Sequence, residues 1–542
     1  MRSYMDNNEK TKSQNYFYGA AILTAGVIIM KILGALYKIP VANIIGDDGY
    51  SMFISTYNVY NVFLTLSTAG LPVALSRLIS EADAEGRPMQ ARATFRVAMK
   101  TFVVVGIFCS LIMLLFPGLI AGRILHNPDA AASIRVMAPS VLLVCLVSGY
   151  RGYCQGYGNM IPTTIGQVLE VLAKVIIGLV LAAIIMKSGG SKSAGSAGAI
   201  FGVTAGSAVA LVFMVIYKRI YYKDRPLEDA DIPDSDGRIL RRFLRIGIPI
   251  ALGASALSII NLVDSGICMA RLQSGAGFAL RDAQKLYGVY GEAQTLYNLP
   301  AAFITPLTIS VVPAIAAANV RGENDKATKI SEDSMRIAAA VCLPMGIGLA
   351  VLSTPIMRVI YRGSHGSGPV LLAILGVTSF FVCMVLMENA ILQASGREKY
   401  TMITLITGGL IKISVNWFLV ADPRINIYGA ALGSLISYVV MAVMNYVFMC
   451  YALDKNPKVF NILKGPVIAS AAMGVLAWLA YFLVSRLEGE MSWTRYLIAM
   501  IPAMVIGVIA YLVAAVKLKA ITAEDMDLIP KGKKISKLLH LR

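Results

Sequence analysis

Two lysines seven residues apart, Lys31 and Lys38, stand inside an apolar stretch, FYGAAILTAGVIIMKILGALYKIPVANII over residues 17–45, that is long enough to cross a bilayer. Seven residues are almost two helical turns, so both ammonium groups share a face. Gly34 lies between them on that face and leaves room for a close partner, and Pro40 permits a kink. A charge at the bilayer centre costs at least about 2.5–3.5 kcal/mol, which argues that the pair lines a wet cavity asking for negative charge. Glu170 and Lys174, one turn apart with Gln167 a turn earlier, can either neutralise each other or form part of a cavity wall. Asp264 and Glu388 are lone carboxylates within apolar spans, suited to pairing with a lysine or to holding a coupling ion. Lys412 and Asn416, again one turn apart, are candidate partners for Asp264. If Glu170 holds Lys174, then Lys31 and Lys38 still lack an anion. A lipid-borne phosphate or pyrophosphate supplies one, and a cationic drug would be repelled.

The elements that must position these groups are membrane helices. Of 542 residues 57% are hydrophobic and only 15% charged, with mean hydropathy +0.68, far from a soluble protein of this size. Apolar windows give about fourteen spans, near 17–45, 52–76, 97–122, 134–155, 161–186, 195–217, 243–270, 288–316, 335–360, 368–394, 400–421, 428–451, 463–485 and 494–516. Most lysines and arginines fall in alternate loops, which places both termini in the cytoplasm and accounts for the net charge of +18 without nucleic acid. Residues 1–16 read as a cytoplasmic tail and 517–542 as a basic one. No loop exceeds about 25 residues, so neither side carries a soluble catalytic domain. Seven scattered cysteines and three histidines lack metal-ligand spacing, and no G-x-x-x-x-G-K-[ST] run is present to bind ATP. Asp47 and Asp48 read as a polar turn, not as paired catalytic carboxylates.

The chain repeats itself. Gln155-Gly-Tyr-Gly158 matches Gln393-Ala-Ser-Gly396, and nineteen residues after each glutamine comes a lysine, Lys174 or Lys412. Gly198-Ala-Ile-Phe-Gly202 matches Gly429-Ala-Ala-Leu-Gly433, and Pro72 matches Pro313, all at offsets near 240 residues. That is six spans, so the halves are parallel repeats: a first lobe over 17–220, a linker over 221–242, a second lobe over 243–451, and two additional spans over 463–516. Two such lobes suit alternating access to a cavity between them.

Several runs resemble a known family. Lys31-Ile-Leu-Gly34-Ala-Leu-Tyr-Lys38-Ile-Pro40 resembles the first helix of the MurJ and SpoVB/YtgP-like proteins, with lysines in place of the usual arginines. Gly70-Leu-Pro72-Val-Ala-Leu-Ser76-Arg77-Leu-Ile-Ser-Glu81 looks like the second-helix signature of the polysaccharide biosynthesis transporters, as do Leu343-Pro-Met-Gly-Ile-Gly-Leu349, Thr354-Pro-Ile356 and Ile529-Pro-Lys-Gly-Lys-Lys534. These belong with the drug-exporting MATE proteins in the MOP superfamily. The resemblance implies a MATE-like all-α membrane protein of the bacterial plasma membrane, acting as a monomeric flippase for an undecaprenyl-linked precursor, lipid II foremost. It also implies that Lys31 and Lys38 hold the pyrophosphate, that the last two spans form a lipid-tail groove, and that membrane potential, Na+ or H+ drives transport without an ATPase subunit. Where the MurJ pattern carries an Arg and a Glu before Leu-Pro in span eight, this chain has Ala293-Gln-Thr-Leu-Tyr-Asn298-Leu-Pro300. A MATE-like exporter of cations would prefer an acidic cavity and twelve spans, and a polytopic glycosyltransferase would need longer loops.

Overall fold

The computed structural model describes residues 2–221, 231–453, 457–486 and 492–518, with side chains in the first helix at 30, 33 and 34 and from 36 onward, and none at 461. Among these residues the regular structure is helical throughout, and thirteen segments are long and apolar enough to cross a membrane. One of them, Leu36–Ala84, runs through a sharp joint and carries parts of two expected spans, which brings the number to the expected fourteen. The chain divides into two compact units, Met1–Ala270 and Arg271–Arg542, a boundary inside a helix and not in the 221–242 stretch.

The first unit comprises α1 (Arg2–Thr68), α2 (Leu71–Ala84), α3 (Pro88–Leu115), α4 (Ala131–Gly156), α5 (Ile161–Lys187), α6 (Lys192–Tyr221) and most of α7 (Asp236–Ser274). α1 is a hairpin in all but name. Gly46 adopts φ 73°, ψ 175°, a backbone that only glycine takes without strain, and the two arms fold onto each other there. In a straight helix Lys38 and Tyr57 would stand about 28 Å apart, yet the Lys38 ammonium lies 6.0 Å from the Tyr57 ring centroid. The joint is fastened by an ion pair between Asp48, which is buried, and Lys192 at the start of α6. Asp48 is therefore a structural clasp, in keeping with the polar-turn reading.

Small residues let α5 and α6 approach closely. A Cβ at Gly202 would come within 2.5 Å of the Lys174 carbonyl oxygen and 2.6 Å of the Gly178 Cα. Hydroxyls stitch neighbouring helices where no water competes: Ser133 to Ser196 at 3.0 Å and Thr204 to the Val136 carbonyl at 3.0 Å. At the opposite end from Gly46, the Asp231 carboxylate accepts bonds from the backbone N–H groups of Met89 (2.7 Å) and Gln90 (3.0 Å), satisfying the start of α3. The outward face of α3 shows Val104, Phe108, Leu111 and Leu115, an apolar stripe that suits lipid.

The second unit holds α8 (Leu280–Tyr297), α9 (Leu299–Val320), α10 (Asn324–Val351), α11 (Ser353–Ile360), α12 (Gly368–Ala394), α13 (Glu398–Leu419), α14 (Tyr428–Ala452), α15 (Val459–Ser485) and α16 (Trp493–Lys517). Its core is Met335, Ala338, Ala339 and Cys342 of α10 against Cys383, Met384, Met387 and Ile391 of α12. Here Gly346 and Gly376 meet backbone to backbone. The Tyr511 hydroxyl donates to the Ala340 carbonyl and so ties α16 to α10.

Candidate functional site

The polar interior of the first unit is built from four helices. Each arm of α1 contributes aromatics: Tyr37 packs edge-on to Phe53 at 5.9 Å, Phe53 lies 4.8 Å from Tyr57, and Tyr57 sits edge-on to Tyr60 at 6.1 Å. The Tyr37 hydroxyl donates to the Ala199 carbonyl of α6 at 2.7 Å, fixing the ring. Against this wall stand two ammonium groups. Lys38 faces the Tyr57 ring at 6.0 Å, and Lys174 of α5 faces the Tyr37 ring at 5.7 Å. The two lysines lie within Coulombic reach of each other. Among the described residues, no carboxylate comes within 4.0 Å of either.

The carboxylate that the spacing offers to Lys174 is engaged elsewhere. Glu170 accepts a bond from the Arg151 guanidinium of α4 at 2.7 Å and one from Ser207 of α6 at 3.3 Å. A charge-assisted bond to a buried guanidinium is shorter and stronger than a neutral one and leaves Lys174 without this partner. The interior therefore carries three cations, Lys38, Arg151 and Lys174, against Glu170. Two further polar atoms are buried there with no hydrogen-bond partner, Gln167 Oε1 and Arg151 Nε.

The expected residues separate into groups. Lys38, Gln167, Glu170 and Lys174 all belong to this interior. The Lys31 side chain lies outside the described residues. A Cβ at Gly34 would meet nothing within 4 Å, so the glycine borders open space. Asp264 is buried on α7 in the first unit, with Cys268 Sγ 4.0 Å from its carboxylate. Lys412 and Asn416 are on α13 in the second unit, with Asn416 fully buried beneath Gly433. Glu388 of α12 is buried with Oε2 unpartnered, as is Oδ1 of Asn445, whose amide donates to Asn389 at 2.9 Å.

Four residues escaped the sequence reading. Arg151 lies four residues from the end of its span and reads as loop-side charge. Tyr37 and Tyr57 read as ordinary apolar positions, and only their spacing about Gly46 could have signalled a wall. Glu292, one residue before the Ala293–Pro300 stretch, supplies a buried carboxylate that accepts from Ser364 at 2.7 Å.

An all-helical membrane protein with a cationic polar interior fits a transporter, and comparison with known proteins agrees. The chain belongs to the polysaccharide biosynthesis protein family: one model of that family matches residues 17–319 and a second matches residues 280–366. Over 99% of both chains it is 27% identical to the uncharacterized membrane protein YabM of Bacillus subtilis. It is 24% identical to the lipid II flippase MurJ of the same organism, over 89% of this chain and 92% of that protein. A solved lipid II flippase MurJ in an inward closed conformation superposes with a TM-score of 0.67 at 15% identity, covering 91% of this chain and 98% of that one. The fold is MATE-like and is shared with transporters of the MOP superfamily. MurJ and the MATE proteins among these relatives are a flippase and transporters, not enzymes, and the protein is a multi-pass membrane protein.

Proposed function

We propose that the protein is a flippase that carries an undecaprenyl-pyrophosphate-linked cell-wall precursor, lipid II of peptidoglycan, from the inner to the outer leaflet by alternating access. The observation that carries this reading is the pair Lys38 and Lys174, two ammonium groups set over tyrosine faces with their carboxylate claimed by Arg151. Such an interior has an excess of positive charge that a pyrophosphate would offset, whereas a cationic drug would add to it. Lys31, seven residues before Lys38 in the sequence, is a further candidate for the clamp on spacing alone. Carrying an anion outward across an inside-negative membrane is favoured by about 2.3 kcal/mol per charge per 100 mV.

Coupling to Na+ or H+ would fall to the buried carboxylates Asp264 and Glu388, with Asn416 as an auxiliary oxygen. Support comes from the two unpartnered acceptors, Glu388 Oε2 and Asn445 Oδ1, which together call for a proton or a monovalent cation. In this reading both termini are cytoplasmic and the protein works as a monomer.

The test uses cells depleted of their own lipid II flippase and measures lipid II exposed on the outer leaflet. Wild-type protein should restore exposure, while Lys38→Ala and Lys174→Ala should each lower it at least tenfold with normal membrane abundance. Restoration by all variants would keep the activity and remove the proposed clamp. No restoration by correctly inserted wild type would remove lipid II as the substrate.

A further inference from the structure

The second unit has a cavity of about 370 Å³ lined by Arg358, Arg362, Gly363, Trp493 and Tyr496. It joins the end of α11 to the start of α16, and none of its lining residues is among those invoked for transport. Arg358 occupies the last turn of α11, and no carboxylate among the described residues lies within 4.0 Å of it. Arg362 lies just beyond the end of that helix and lines the same pocket, so two guanidinium groups border it. Its guanidinium stacks 4.4 Å from the centroid of Trp493, whose indole N–H donates to the Val359 carbonyl at 3.0 Å. Those two contacts fix the orientation of both the ring and the arginine. The pocket therefore has a rigid aromatic side and a cationic side.

Trp and Tyr at a helix end mark the depth of lipid headgroups. Down the same face of α16 run Ile501, Met504 and Val508, each about half exposed, an apolar track continuous with the turn that bears Trp493. We infer that this pocket binds the phosphate of an anionic glycerophospholipid, with Arg358 and Arg362 on the phosphate, Trp493 and Tyr496 against the glycerol region, and the acyl chains along Ile501, Met504 and Val508. Guanidinium groups suit this ligand because their planar N–H pairs match phosphate oxygens. The volume accommodates the phosphate and glycerol but not the chains, which the exposed track receives. Such a lipid would bridge α11 to α16 and so fasten the additional C-terminal helices at this end, opposite the Tyr511 tie to α10.

The experiment is native mass spectrometry of the full-length protein in detergent, with phosphatidylglycerol or phosphatidylcholine added. Phosphatidylglycerol should remain bound in preference to phosphatidylcholine. Arg358→Gln/Arg362→Gln should reduce that retention at least tenfold, the size expected when charge-assisted bonds worth about 1.5–3 kcal/mol are lost. A melting curve checks folding, and Arg362→Lys, which keeps the charge but not the fork, should fall between the two. Equal retention of both lipids, or unchanged retention in a folded double variant, would overturn the proposal. Full displacement by millimolar inorganic phosphate would also overturn it, by showing a free-anion site. Glu488→Gln/Glu490→Gln removes the two carboxylates in the sequence between α15 and α16. A tenfold rise in phosphatidylcholine retention there would show that those carboxylates, and not a lipid phosphate, are the arginines' partners.

Discussion

The helix pairs α5–α6 and α13–α14 are one arrangement carried out with two chemistries. Gly198 packs on Leu181, and Gly429 packs on the matching Leu419. Gly202 sits over the Lys174 carbonyl, and Gly433 sits near that of Lys412. Gly206 rests on the Glu170 carbonyl, while Ser437 in its place donates to the Gly408 carbonyl at 2.7 Å. The earlier helices correspond at an offset of 238 residues and the later ones at 231, so the difference falls between the two helices. What differs is charge. Arg151 and Glu170 of the first unit correspond to Asn389 and Gly408 of the second, and Gly178 corresponds to Asn416. The backbone register is kept, while the Arg151–Glu170 ion pair has no counterpart at the matching positions of the second unit, Asn389 and Gly408.

The sharpest way to break this comparison is Arg151→Ala, which strands the Glu170 carboxylate. Breaking a buried pair costs on the order of 3–5 kcal/mol, so the detergent-solubilised protein should melt far lower. Arg151→Asn/Glu170→Gly, which writes the second unit's residues into the first, should recover most of that loss, less about 1 kcal/mol for the helical glycine. Equal destabilisation by both would show that the pair does not act as a unit. A smaller effect separates the glycines. Gly202→Ala meets backbone atoms that cannot move aside and should cost about 1–3 kcal/mol. Gly433→Ala meets chiefly the Asn416 side chain, and Gly433→Ala/Asn416→Ala, which shortens that side chain, should recover most of the lost melting temperature. Smallest of all, Arg77→Gln removes a surface pair with Glu81 that is mostly exposed and should leave melting unchanged within error.

Much of the fold was legible because membrane spans announce themselves by length and apolarity, and because Lys174 and Lys412 fall at the same distance after Gln155 and Gln393. The internal lysines were legible for the same reason: a lysine is conspicuous in an apolar run. Their partners were not. The i,i+4 rule pairs Glu170 with Lys174 because it sees one helix at a time, while Arg151 reaches Glu170 from a helix nineteen residues earlier. Tyr37 and Tyr57 were not read as a wall because the turn between the first two spans was legible, whereas the faces that it brings together were not. Gly34 was read as leaving room beside the two lysines, and a Cβ there would meet nothing within 4 Å.

The joint at Gly46 has a consequence for biosynthesis. With a single residue between the arms, the first two spans have no loop with which to enter the bilayer one after the other, and they must insert as a paired unit. Pairing also covers the Lys38 charge with Tyr57 as it leaves water. In a translation-and-insertion assay, chains ending after residue 45 should therefore integrate poorly compared with chains ending after residue 84. Gly46→Val, which cannot hold φ 73° without strain, should lower integration of the longer chain as well.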